Sequence, residues 1–230
     1  MELVSLELNE KIAKITINNG KVNAISHQVI SEINSALDLA ESAGVVVILA
    51  GQQGVFSAGY DLITIKKSSD AAVSLITAGS TLSRRMLSFP LPIIGVCTGH
   101  AIAQGALFLL SCDYRIGSTG TFKIGLNEVA IGMTMPQAGI ELARNRIPAN
   151  YLTRSVINGE LFGPEVAAIA GFIDTLVEPE KLMEKAKAVA NQMASLNMSA
   201  HHGTKLKERR EILNALDFAI VIDSTMVLNI

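Results

Sequence analysis

Residues 3–8 and 12–17 alternate apolar and polar positions on either side of the polar stretch 9–11. A period of two places the apolar side chains on one face of a strand, so this stretch predicts a β-hairpin. The period then changes. Val29, Ile30, Ile33, Leu37 and Ala40 recur at steps of three and four, which predicts an amphipathic helix over 26–42 with Ser26 as its N-cap. Residues 45–50 are apolar without interruption and β-branched in their first half, the pattern of a strand buried on both faces. A glycine-bearing loop is expected over 51–60 and a polar helix over 71–87.

Pro90 and Pro92 end that helix before a strand at 93–97, followed by a helix at 101–111 and a strand at 114–117. Pro136, Pro148 and Pro164 each stand where a first helical turn tolerates a missing N–H, so helices are expected over 136–146, 148–158 and 164–170. A strand over 172–177 precedes helices over 179–196 and most of 203–228. Strands alternating with helices define an α/β fold built of βαβ-like units. The change to helix alone divides the chain into a core at 1–178 and a C-terminal helical region at 179–230, expected to serve oligomerisation. Leu213, Leu216, Ile220 and Met226 in that region are apolar positions expected to need a second copy to cover them.

Composition narrows the function classes. Of 230 residues, 49% are hydrophobic but only 4% aromatic, with no Trp, so the core must be aliphatic. A net charge of −2 argues against a nucleic acid or an anionic membrane surface as partner. Cys97 and Cys112 both lie in apolar stretches and form no disulfide framework, which points to a reducing, cytoplasmic setting. The first residues read as strand rather than signal peptide. The uncharged stretch 86–112 is long enough to span a bilayer, but its prolines, glycines and polar residues fit a buried strand, turn and helix better.

Three segments have chemical potential. Phe56-Ser57-Ala58-Gly59-Tyr60-Asp61-Leu62 follows a buried strand, and reads either as a glycine turn capped by Asp61 or as a turn whose backbone N–H groups bind an oxyanion. Gly99-His100-Ala101-Ile102-Ala103-Gln104-Gly105-Ala106 sits at a strand-to-helix junction, where small residues allow close packing, close approach of a ligand, or both. In Phe122-Lys123-Ile124-Gly125-Leu126-Asn127-Glu128-Val129, Glu128 lies among apolar Leu126, Val129 and Ile131. Such a setting would raise its pKa towards the range a general base needs, although a loop Glu is more often simply solvated. His100, His201 and His202 belong to no set with metal-ligand spacing, so no metal is expected. No Gly-x-Ser-x-Gly elbow, P-loop or dinucleotide fingerprint occurs.

Taken in order, Ile15-Thr16-Ile17 with Asn23-Ala24, the segment 56–62, Pro92-Ile93-Ile94-Gly95-Val96 with Gly99-His100-Ala101, Cys112-Asp113-Tyr114-Arg115-Ile116, and Gly125-Leu126-Asn127-Glu128 resemble the crotonase superfamily of enoyl-CoA hydratases and isomerases over nearly the whole chain. The resemblance implies a spiral of ββα units with a C-terminal helical trimerisation region, and a homotrimer or hexamer. It implies an acyl-CoA thioester as substrate, with no separate cofactor. It implies that the backbone N–H groups of Tyr60 and Gln104 hold the thioester oxygen, and that Glu128 is the acid/base residue.

By the same resemblance, Val22, Ala24, Ala58, Tyr60, Asp61, Leu62, Gln104 and Asn127 line the substrate path, with Lys21 near a phosphate. One departure decides the expected reaction. Hydratases of this family carry a second glutamate on the helix after the Gly-rich turn, where this chain has Leu107. A single carboxylate suffices to move a double bond from C3 to C2, so the sequence resembles most the 3,2-trans-enoyl-CoA isomerase branch. Hydration or thioester hydrolysis by Glu128 alone, and acyl-CoA binding without turnover, are the alternatives.

Overall fold

The N-terminal hairpin founds a six-stranded sheet. In the computed structural model, which describes residues 3–227, β1 (Val4–Leu8) pairs antiparallel with β2 (Ile12–Ile17), Val4 opposite Ile17. From β2 the sheet continues in parallel through β3 (Val46–Ala50), β5 (Ile93–Cys97), β7 (Tyr114–Ser118) and β10 (Thr175–Val177). Every residue of β3 and β5 is buried, so their unbroken apolar sequences reflect cover on both faces.

A second sheet has the order β4-β6-β8-β9, made of β4 (Gly54–Ser57), β6 (Gly99–Ile102), β8 (Ile124–Gly125) and β9 (Leu161–Phe162). Each long strand β3, β5 and β7 thus hands the chain to a short strand of the second sheet. Helices follow: α2 (Leu62–Ile65) and α3 (Ser69–Ser88), then α4 (Gln104–Leu110), then α5 (Gln137–Arg146). Repetition of this ββα unit produces the spiral.

The second sheet corrects two sequence expectations. Residues 54–57 are strand rather than loop, and the helix expected from 101 begins at Gln104. Ala101 N–H donates to Lys123 O at 3.1 Å and Ala103 N–H to Gly125 O at 2.9 Å, so the sheet ladder claims these residues before the helix forms. Strands of two to four residues are too short to show a period.

Elsewhere local chemistry sets the boundaries. Ser26 Oγ accepts from Val29 N–H at 3.2 Å and starts α1 (His27–Ala43). Pro136 and Pro148 immediately precede α5 and α6 (Ala149–Val156), and Pro164 opens α7 (Pro164–Ile169). Position 228, at the end of the expected final helix, lies outside the described residues.

The C-terminal helices close over both sides of this core. Leu182, Ala186, Val189 and Ala190 of α8 (Leu182–Ala194) cover Val46, Ile48, Ile94, Val96 and Ile116 on the far face of the long sheet. After α9 (Met198–Glu208), α10 (Arg210–Ser224) packs on α3 and α5. Arg84 of α3 grips Asp217 with two hydrogen bonds of 2.8 and 3.0 Å, and the Asp223 carboxylate accepts from the Gln137 and Ala138 N–H groups at 2.8 and 2.9 Å. Leu213 and Leu216 are buried by their own chain, so they do not supply the uncovered surface expected of them. The exposed apolar residues of α10 are Phe218, Val221 and Ile222. The stretch 86–112 is the end of α3, β5, β6 and α4, and no helix among the described residues is long and apolar enough to cross a membrane.

Candidate active site

Between α3, α4, the turn after β4 and the segment from 127 to 139 lies a cavity of about 130 Å³. Its walls are mostly apolar: Ile65 of α2, Ile76 of α3, Leu107 of α4, then Ile131, Met133 and Pro136. Glu128 is the single carboxylate among the lining residues.

Glu128 sits at the start of a one-turn helix, Val129–Ile131, and is only 7% exposed. Its Oε2 has no hydrogen-bond partner among the described residues. Burial disfavours the charged form by more than the hydrogen bond from its own backbone N–H restores, and pushes the carboxyl pKa from 4.5 up to about 7. The cause differs from the one the sequence suggested. Val129 and Ile131 are 46% and 52% exposed, and of the three apolar neighbours only Leu126 is buried. Ile131 still lines the cavity, and residues brought from distant helices, Leu107 and Ile76 among them, supply the rest of the dry wall.

Facing this carboxylate's cavity are two turns in contact with each other. Gly59, at φ +98°, lies so close to the other turn that an added Cβ would stand 3.0 Å from Ala103 Cβ and 3.6 Å from the Gln104 nitrogen. Ile25 donates to Gly59 O at 2.8 Å and accepts from Asp61 N–H at 2.9 Å. Because backbone direction alternates along an extended segment, the N–H of Tyr60 falls on the edge opposite Ile25. Ala103 is held at φ 52° and ψ −124°, and Gln104 follows as the first residue of α4, where the helical ladder leaves its N–H free.

The cavity brings together Ala58, Tyr60, Leu62, Gln104, Asn127 and Glu128 of the predicted site residues. Val22, Ala24 and Asp61 do not line it. Val22 O accepts from Ala58 N–H at 3.0 Å and Ala24 O from the Asn19 side chain at 2.6 Å, so both belong to a strap beside the first turn. Asp61 caps α2, and the bond from the Thr64 hydroxyl, aided by those from the Thr64 and Ile63 N–H groups, holds its carboxyl below the usual range. Lys21 is exposed. Sequence reasoning missed Ile65, Ile76, Ser80, Met133, Pro136 and Gly139, which come from separate elements. The one hint was the flexible run Met133-Thr134-Met135-Pro136. Asn23, which entered only as part of the resemblance, is fully buried, and its side chain donates to Ile17 O and accepts from Asn19 N–H, fixing the strap.

The ββα spiral thus places one desolvated carboxylate beside two turns that carry backbone donors. The enoyl-CoA hydratase/isomerase family model matches residues 7–229, and the chain belongs to that family. It is 31% identical over 199 residues to a probable enoyl-CoA hydratase of Bacillus subtilis, covering 84% of this chain and 77% of that one. A solved structure of an enoyl-CoA hydratase/isomerase family protein from Pseudomonas syringae is 55% identical, superposes with a TM-score of 0.97 and covers 98% of both chains. A Mycobacterium tuberculosis protein is 35% identical, with a TM-score of 0.93 and coverage of 97% of this chain and 98% of its own. It is described as an enoyl-CoA isomerase in one structure and as a probable enoyl-CoA hydratase in another. Names among relatives therefore do not separate the two reactions.

Proposed function

We propose that this protein is an enoyl-CoA isomerase that shifts a double bond from C3 to C2 of an acyl-CoA thioester. The observation that carries the reading is the solitary Glu128 carboxylate, with Leu107 on the cavity wall where a second acid would stand in a hydratase. A carboxylate with a pKa of about 7 is half ionised at neutral pH, so one group both accepts and returns a proton.

In this reading the ionised Glu128 removes a proton from C2. The electron pair moves towards the thioester carbonyl, whose oxygen becomes negative and is held by the N–H groups of Tyr60 and Gln104. The protonated Glu128 then delivers the proton to C4 as the C2–C3 double bond forms. No atom is gained or lost. The apolar cavity supports this order by keeping water from the dienolate. Coenzyme A would pass over the Val22–Ala24 strap and Ala58 and Leu62, with Lys21 meeting a phosphate.

The test is single turnover of 3-hexenoyl-CoA with product mass measured, on the parent and on Glu128→Gln. The parent is expected to give an unchanged mass, and the variant a rate about 10²–10⁴-fold lower. Calorimetric affinity for butyryl-CoA should be nearly the same in both. A product heavier by one water overturns the isomerase reading. Binding by both proteins with turnover by neither leaves an acyl-CoA-binding protein.

A further inference from the structure

Gln104 contributes more than a backbone nitrogen. Its side chain is 1% exposed and fully engaged: Oε1 lies 2.8 Å from the Tyr60 hydroxyl, while Nε2 donates to Ser83 Oγ at 3.1 Å and Gly79 O at 3.3 Å. The two bonds made by Nε2 fix which way the amide points, so Oε1 must be the acceptor. The Tyr60 hydroxyl also lies 3.2 Å from Ile76 O, and burial beside Glu128 raises the phenol pKa, keeping it a donor. Gly79 of α3 leaves the space that the phenol fills, since any Cβ there would overlap the Tyr60 ring and hydroxyl.

The residues so joined are the two whose N–H groups face the reacting carbonyl in the proposed mechanism. Each follows a backbone in the left-handed region, Gly59 at φ +98° and Ala103 at φ 52°. Such conformations persist only where the surroundings over-determine them. A buried polar network in which each side chain has a partner is a restraint on the backbone it grows from.

We infer that the Tyr60 hydroxyl and the Gln104 amide form a side-chain clasp, anchored on α3, that sets the spacing of the two oxyanion-binding N–H groups and so makes both side chains positioning residues for the reaction. The inference rests on the isomerase reading for its substrate. Displacement of a reacting group by about 1 Å costs up to about 10²-fold in rate, so the clasp acts on kcat rather than on ground-state binding.

The experiment uses Tyr60→Phe, Gln104→Met and the double variant, with 3-hexenoyl-CoA for kinetics. Hexanoyl-CoA carrying ¹³C in its carbonyl serves for calorimetry and infrared difference spectra. Each single variant is expected to lose about 10–10²-fold in kcat with Kd for hexanoyl-CoA changed by less than about threefold. The bound carbonyl band should move back towards its position in water. Because the two side chains act as one unit, the double variant should be no slower than the worse single variant. Rates within about threefold of the parent in both folded single variants, or losses that multiply in the double variant with an unmoved carbonyl band, overturn the clasp. If Gln104→Met does not fold, Tyr60→Phe, which removes one hydroxyl, decides alone. A parent that binds hexanoyl-CoA but never isomerises defeats the proposed function instead, and the carbonyl band still reports on the clasp.

Discussion

Two of the carboxylates shielded from solvent in this molecule, Asp113 and Glu128, are treated in opposite ways. Asp113, after α4, accepts from Ile93 N–H at 2.7 Å and Lys205 Nζ at 2.8 Å through one oxygen, and from Arg209 at 2.9 Å through the other. Its two cations reach further, Lys205 to Phe89 O and Leu91 O and Arg209 to Leu87 O, so the cluster fastens the α9–α10 junction to the turn between α3 and β5. Glu128 has a dry wall and an oxygen without a partner. Saturating a buried charge with partners makes it a fastener. Leaving it unsatisfied costs stability and produces a group able to exchange a proton near neutral pH.

Removing each carboxylate should break the comparison most visibly. Asp113→Ala strands two buried cations, and losing one partner of a buried ionic cluster costs about 3–5 kcal/mol. Denaturant titration should show this as a lower midpoint, with the proposed isomerase activity retained in whatever fraction stays folded. Glu128→Gln at pH 8 removes an unpaired charge, and its midpoint should equal or exceed that of the parent. A Glu128→Gln midpoint lowered as far as that of Asp113→Ala would show that Glu128 is structural after all.

The pH dependence of stability sharpens the same contrast. Below about pH 4.5 Glu128 is protonated in both folded and unfolded chains and contributes no slope. Between about 4.5 and 7 the unfolded chain has released a proton that the folded chain keeps, so stability falls as pH rises, by about 3 kcal/mol in all. Above 7 this contribution is flat. Over the upper part of that interval kcat/KM should climb, because the ionised form is the base in the proposed mechanism. Denaturant midpoints of the parent between pH 4.5 and 8, compared with Glu128→Gln, should differ by this slope. Parallel curves would mean that Glu128 is not desolvated.

The legible part of the fold was the part written locally. Ser26 as a cap, the prolines before α5 and α6 and inside α7, and the unbroken apolar residues of β3 each act through near neighbours. The short strands β4, β6, β8 and β9 are defined by partners far along the chain, and the hydrogen bonds that pull residues 101 and 103 from a helix into a sheet come from positions 123 and 125. The site divides in the same way. Ala58, Tyr60, Leu62, Gln104, Asn127 and Glu128 were legible because the motifs that carry them are short and in register with a family. The wall that desolvates Glu128, and the pairing of Tyr60 with Gln104 across 44 residues, exist only once the helices have packed. The ion cluster around Asp113, whose cationic partners lie 92 and 96 residues on, was not legible for the same reason.

The smallest expected effect concerns the wall itself. Leu107 is buried on α4 at the cavity edge, against Gly139 of α5. Leu107→Glu would place a second carboxylate in the space that now holds only Glu128, and two acids in a dry site share a proton, raising the pKa of one. Hydration needs a group to orient and deprotonate water as well as one to protonate carbon, so the variant should gain hydration of 2-butenoyl-CoA relative to isomerisation of 3-hexenoyl-CoA, by about tenfold. The new charge also lacks a partner, and the folded state should weaken by about 1–3 kcal/mol. Both quantities must come from one preparation: the ratio of the two activities by product mass, and the denaturant midpoint. A folded variant whose ratio stays at the parental value would mean that the wall residue does not choose the reaction, and that water is excluded by the closure of the cavity rather than by the absence of a second acid.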